Sequence, residues 1–222
     1  MILTLPCCIR VNKKQASETT YEIAVNKRPY LEYYKSNCVG FFIPAAFTAL
    51  NIMQTDKSRF SAADLKEGYA FLQDFFKYEF AYDSDRSIED YVQQNLDAFM
   101  EDSMLTFQPV PLDTYQLTES GMRKLKRFAI FLKPYFESYW IVLNFFMITP
   151  ANTVKPKDRL KKIADTGSQM FKRQEIERKE ALNNISFKNA VEFFTSRGVK
   201  GPEHMDEIEY YAEAIQRAIK TL

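Results

Sequence analysis

Apolar residues recur three and four positions apart along most of the chain, the interval that gathers them on one face of a helix. Over residues 61–80 they fall at Leu65, Tyr69, Leu72, Phe75, Phe76 and Phe80. Over residues 87–103 they fall at Ile88, Val92, Leu96, Phe99 and Met100. Ser61, with Asp64 three residues on, stands where an N-cap belongs, and Ser87 stands in the same place for the next helix. An earlier helix begins near Pro29 and carries Leu31, Tyr34, Cys38, Phe41 and Phe42. Pro44 is expected to kink or interrupt it, because proline lacks the amide hydrogen and crowds the preceding turn. The apolar run then continues to Met53. Ahead of it, residues 1–17 show no strong pattern and residues 20–25 read as a short strand.

Beyond residue 103 the period changes. Residues 104–110 and 114–117, separated by Pro111, Leu112 and Asp113, read as a short β-hairpin or wing. Thr118 and Glu119 open a helix bearing Arg123, Lys124, Lys126 and Arg127. Pro134 divides it from an aromatic stretch of Tyr135, Phe136, Tyr139, Trp140, Phe145 and Phe146, which Pro150 ends. Residues 155–179 form a charged helix with an apolar stripe of Leu160, Ile163, Ala164, Met170 and Phe171. Residues 185–197 form another, closed by Gly198 as a left-handed cap. The last, 205–222, places Ile208, Tyr211, Ala212, Ile215, Ile219 and Leu222 on one side. These elements predict a mainly α protein: a helical bundle with a winged-helix-like part carrying one short β-hairpin. Residues 1–28 form an irregular N-terminal segment with the short strand, 29–121 the winged-helix-like part, and 122–222 a helical bundle part packed on it.

Composition supports a packed core. Of 222 residues, 46% are hydrophobic, and 19 Phe with 13 Tyr suit extensive helix packing. Only six glycines are present, too few for a turn-rich all-β fold, and neither GxGxxG nor GxxxxGK[ST] occurs. Cys7, Cys8 and Cys38 make no even disulfide set, which points to a reducing compartment and inert thiols. No secretory signal is visible. Residues 36–55 carry no charge, yet Asn37, Gly40, Pro44, Asn51 and Gln54 interrupt them. A buried core helix fits this better than a membrane span.

The net charge of +1 conceals a split: residues 61–121 hold 13 acidic against 3 basic side chains, and residues 122–179 hold 14 basic against 5 acidic. Two readings are open. The halves are solvated surfaces that partly face each other, or the basic half meets an anionic partner such as a membrane surface, a coenzyme A moiety or an acidic carrier protein. Arg123, Lys124, Lys126, Arg127, Lys155, Lys157, Arg159, Lys161 and Lys162 are the candidates for that contact. A winged-helix layout suggests DNA binding, but the charges oppose it. The recognition helix carries Glu89, Asp90, Asp97, Glu101 and Asp102, and no Lys or Arg follows Arg86 on it, so it would repel phosphates. No nucleic-acid partner is expected.

His204 is the only histidine and follows Gly201-Pro202 at the start of the last helix, as a surface or capping residue does. Asp83/Asp85 and Asp206/Glu207 lack metal-loop spacing. No catalytic constellation, metal site or cofactor is expected.

The stretch Leu31-Glu32-Tyr33-Tyr34-Lys35-Ser36-Asn37, followed by Phe41-Phe42-Ile43-Pro44-Ala45-Ala46, is more distinctive than composition. It resembles the region beyond the catalytic part of membrane-associated glycerol-3-phosphate acyltransferases, where members read L-x-Y-Y-(K/R)-(N/S)-N before an apolar helix. The order of later features agrees: an acidic helix pair, a hairpin ending in Leu117-Thr118 and Gly121, an aromatic helix, and a Tyr-rich final helix. The resemblance implies a parent enzyme that moves a fatty acyl group from acyl-CoA or acyl carrier protein to glycerol 3-phosphate, the first committed step of phospholipid synthesis. That family places its chemistry on an upstream His-x4-Asp motif, which this chain lacks; His204 has Glu209 at that distance. The resemblance therefore implies a non-catalytic C-terminal domain that packs against the acyltransferase catalytic domain in cis. It would lie in the cytoplasm, peripheral to the inner face of the membrane. A free-standing helical interaction protein or winged-helix regulatory module is the alternative.

Overall fold

The computed structural model describes residues 9–13, 19–23, 28–55, 57, 59–83, 85–109, 113–150 and 153–222, with side chains from Val39 onward. Cys7, Cys8 and the side chains of the Leu31–Asn37 motif lie outside the described set. The chain divides into two compact units, residues 1–42 and 43–222.

In the first unit, β1 (Ile9–Lys13) and β2 (Thr19–Ile23) pair antiparallel with Ile9 opposite Ile23. The second strand overlaps the one expected at 20–25. The first was not expected: five residues of mixed polarity carry too little pattern to read alone, and pairing supplies what the pattern lacks.

Helix α1 (Arg28–Gln54) passes through Pro44 without interruption. One proline removes one helix hydrogen bond, while the turns that follow bury Ala46, Phe47, Ala49 and Leu50. Thr48 Oγ1 also donates to the Pro44 carbonyl at 3.0 Å. Burial of these residues and of Ile43 agrees with a core helix, and no helix among the described residues is long and apolar enough to cross a membrane.

Helices α2 (Ala62–Phe75) and α3 (Ile88–Glu101) both start in capping boxes, Ser61 with Asp64 and Ser87 with Asp90. A hairpin of β4 (Leu105–Gln108) and β5 (Thr114–Leu117) follows α3, with Leu105 opposite Leu117. A two-residue strand β3 (Arg59–Phe60) joins it, giving the order β3-β5-β4. This third strand was not expected, because two residues have no period. Phe60 stacks on Tyr115 at 6.0 Å to close the sheet over the helices. Helix–helix–helix–hairpin is the winged-helix-like order.

The remainder is helical: α4 (Gly121–Ala129), a 3₁₀ turn, α5 (Lys133–Ile148), α6 (Pro156–Lys172), α7 (Asn184–Ser196) and α8 (Met205–Thr221). Helix α6 ends seven residues short of the expected 179. Gln174 takes a left-handed φ of 61°, and the amides of Gln174 and Glu175 turn back to the carbonyls of Phe171 and Met170. That is a Schellman ending with glutamine where glycine is usual. Helix α7 ends the same way at Gly198, φ 85°, as expected.

One ring organises the core. Phe75, at the end of α2, lies 4.9 Å from Tyr139 and Phe193, 5.9 Å from Phe136 and 6.1 Å from Tyr211. It thereby joins α2 to α5, α7 and α8. Helix α6 reaches α5 through Gly167, where a Cβ would meet Ile141 and Leu182 at 2.9–3.2 Å.

Candidate functional site

The nine predicted basic residues lie on two helices. In α4, Gly121, Leu125 and Ala129 repeat at intervals of four and are buried, so the opposite side faces solvent. Arg123, Lys126 and Arg127 occupy that side and are exposed. Lys124 does not share their role. Its Nζ donates to the Asp102 carbonyl at 2.6 Å, capping the C-terminal end of α3, where a cation is favoured.

The reason α4 sits so close to α3 is the Leu117-Thr118…Gly121 turn. Thr118 Oγ1 donates to the Ser103 and Met104 carbonyls at 3.0 and 3.1 Å, and the Thr118 amide also donates to Met104. Ser103 holds a left-handed φ of 56°, which ends α3 and turns the chain into β4. A Cβ on Gly121 would collide with the Met104 carbonyl oxygen and would stand 2.9 Å from Thr118 Oγ1. The bare backbone lets α4 begin against the base of the wing. The expected start at Thr118 is displaced to Gly121 because Thr118 is engaged in this clasp.

In α6, Lys155 is the N-cap residue and contributes no side-chain cap; Lys157, Arg159, Lys161 and Lys162 follow. All but half-buried Arg159 are exposed. They crowd the positive end of the helix dipole, a local concentration of positive charge with Asp158 as the one acid in the first turn.

The structure does not merge the two clusters. The α4 cluster lies near the far end of α6: Lys126 helps to lower the pKa of Glu177, in the loop after α6. Ten residues separate Lys162 from Lys172, or roughly 15 Å along the axis. Lys126 thus lies toward the C-terminal end of α6, whereas the cations of the second cluster belong to its first two turns. Among the described residues, none of Arg123, Lys126, Arg127, Lys155, Lys157, Arg159, Lys161 and Lys162 is in an ion pair.

A clamp that sequence reasoning passed over fixes the α4 end. Buried Glu137, on α5, accepts the backbone N–H groups of Glu177 at 3.0 Å and Arg178 at 2.8 Å. Buried Lys133, one turn earlier, donates to Glu177 Oε2 at 2.7 Å. Burial raises the Glu137 pKa against the pull of those two N–H groups and of Lys133, while the Lys133 bond lowers that of Glu177. The available signal was a lysine and a glutamate four apart in an otherwise apolar helix.

A cleft of about 620 Å³ opens between the ends of α1, α2 and α8, with Leu72, Phe136 and Tyr210 among its apolar lining. Its cations are committed. Arg217 donates to the Gln54 carbonyl at 3.1 Å and Lys57 pairs with Asp64 at 2.5 Å. His204 is the residue preceding α8 and is part-exposed, its Nδ1 3.8 Å from Glu203 Oε1 and without a hydrogen-bond partner. Among the described residues no group of three His, Cys, Asp or Glu side chains is placed to hold a metal ion.

No curated protein matches the chain. It does match the family described as the glycerol-3-phosphate acyltransferase C-terminal region, over residues 6–203. That span takes in the Leu31–Asn37 motif, the capped helix pair, the Thr118–Gly121 clasp and the aromatic helices. The chain belongs to the glycerol-3-phosphate acyltransferase C-terminal region family.

Proposed function

We propose that this is a non-catalytic supporting domain of a glycerol-3-phosphate acyltransferase-like enzyme of phospholipid synthesis. It packs against the catalytic domain and presents cationic patches to an anionic surface, a membrane face or the phosphates of an acyl donor. The family match over residues 6–203 carries this reading. Supporting it, Arg123, Lys126 and Arg127 on α4 and Lys155, Lys157, Lys161 and Lys162 on α6 are exposed, and among the described residues none of them is in an ion pair. Each such cation near an anionic bilayer contributes about 1 kcal/mol.

Flotation with vesicles containing phosphatidylserine tests the contact. Reversing Arg123, Lys126 and Arg127 to Glu should weaken binding by at least ~100-fold at low salt. No binding, or binding indifferent to reversal, refutes it. Lys124→Glu belongs outside this set because it breaks the α3 cap. The chain alone should transfer no acyl group to glycerol 3-phosphate; turnover lost in His204→Ala would overturn the non-catalytic assignment.

A regulatory interaction module is the second reading, favoured by the winged-helix-like order. Its α3 turns Glu89, Asp90, Asp97 and Glu101 to solvent, a face suited to a cationic protein surface and not to DNA. A mobility shift with duplex DNA at low salt should be negative.

A further inference from the structure

Glu79 lies in the turn that follows α2, where its amide bonds to the Phe76 carbonyl at 2.9 Å. Its carboxyl points into the molecule. Oε2 accepts a bond from Ser186 Oγ at 3.4 Å, and the Asn189 side chain lies beside the carboxyl, both from the first turns of α7. Oε1 is buried and has no partner. On the α5 side stands Tyr139, fully buried, whose hydroxyl is likewise without a partner. Tyr82, on the segment after the turn, donates to the Phe76 carbonyl at 3.4 Å.

The charges that could compensate a carboxylate here are turned elsewhere. Lys77 pairs with Asp74 at 3.4 Å and lies over the Phe193 ring, and Lys188 of α7 is exposed. Tyr82 and Tyr139 are the titratable groups that feel the charge of Glu79, and both are acids. Ser186 and Asn189 can bond to either protonation state. A carboxylate buried with one oxygen unpartnered is costly, whereas the neutral acid is not.

We propose that Glu79 is a proton-operated latch between α2 and α7: the neutral carboxyl holds the first turns of α7 to the end of α2, and loss of its proton releases them. Ser186, Phe187 and Ala190, all buried, are the residues it would free. Burial holds the carboxyl up at about 7, against 4.5 for an ordinary glutamate, so the latch would work around neutrality. The sign follows from linkage. The opened state, with Glu79 in water, ionises first as pH rises, so opening is favoured from about pH 4.5 until Glu79 of the closed state also ionises near 7.

Amide hydrogen exchange on the whole chain, corrected for intrinsic rates, tests this between pH 5 and 8. The opening equilibrium at Phe187–Ala190 should rise roughly 50- to 100-fold across that range. Amides of Ile208–Ala218 in α8 should change far less, and Glu79→Gln should abolish the rise. Parallel acceleration in α7 and α8 would mean that Glu79 lowers global stability without acting as a local latch, and would overturn the proposal. So would exchange in α7 that ignores pH. Carboxyl-carbon NMR of the unsubstituted chain gives a check that needs no variant: the Glu79 resonance should titrate near pH 7, and a midpoint near 4.5 would refute the mechanism.

Discussion

Gly121→Ala is the most informative single substitution. The new methyl group would overlap the Met104 carbonyl oxygen and crowd Thr118 Oγ1 at 2.9 Å and Leu117 Cδ1 at 3.0 Å. The obstacle is backbone, so no side-chain rotation relieves it, and either the start of α4 or the start of β4 must retreat by about 1 Å. That movement breaks or stretches the two bonds from Thr118 to the Met104 carbonyl, each contributing about 1 kcal/mol. Overpacking adds about 1–3 kcal/mol, and the better helix propensity of alanine returns up to about 1 kcal/mol. The net cost is about 2–4 kcal/mol, or roughly 5–12 °C in Tm for a chain of this size. Urea unfolding followed by far-UV circular dichroism measures it, with Gly198→Ala as the comparison. Gly198 stands in open space, and its φ of 85° makes alanine cost only about 1 kcal/mol. If Gly121→Ala costs no more than Gly198→Ala, the close approach of α4 to the wing is not what holds that junction.

Phe75→Ala should destabilise by about 3–5 kcal/mol, the range for removing a buried aromatic ring, and a calorimetric Tm loss below 4 °C would show the ring to be dispensable. Ser103→Gly and Gln174→Gly should each stabilise by about 0.5–1 kcal/mol by relieving a left-handed conformation, measurable as a higher urea midpoint. Lys57 and the Ser61 capping box hold the Asp64 carboxyl down at about 2. Its contribution is therefore present above pH 3.8 and lost as pH falls through about 2. Asp64→Asn should cost about 1 kcal/mol at pH 6 and almost nothing below pH 2; equal costs at both pH values would refute the assignment.

Three helices end in the same backbone turn, and only one ending was legible in advance. Gly198 announces itself because glycine is the residue that enters the left-handed region freely. Ser103 and Gln174 enter it because tertiary contacts, such as Thr118 on the Ser103 carbonyl, outweigh a local preference of about 1 kcal/mol. The capping serines were legible because their signal lies within three residues of the helix start. Strands β1 and β3 were not, because pairing with β2 and with β5, and not any pattern in their own few residues, defines them. The candidate site divides in the same manner. Cationic α4 and α6 were evident from composition, but the commitment of Lys124 to Asp102 and the separation of the two patches depend on contacts between elements distant in the chain. Glu79 was invisible for that reason too: nothing near it in sequence says that Ser186, more than a hundred residues away, will meet it in the interior.

The contacts of Phe75 bear on how the domain is made. Its neighbours lie at positions 136, 193 and 211, so the mean loop that must close to complete the core is long, and slow folding is expected from topology alone. Synthesis delivers α2 first and Tyr211 last. While the ribosome is still adding α8, the ring at the end of α2 has no complete enclosure, and a large aromatic surface stays uncovered. The growing chain must therefore wait, protected or partnered, until α8 emerges before this core can close.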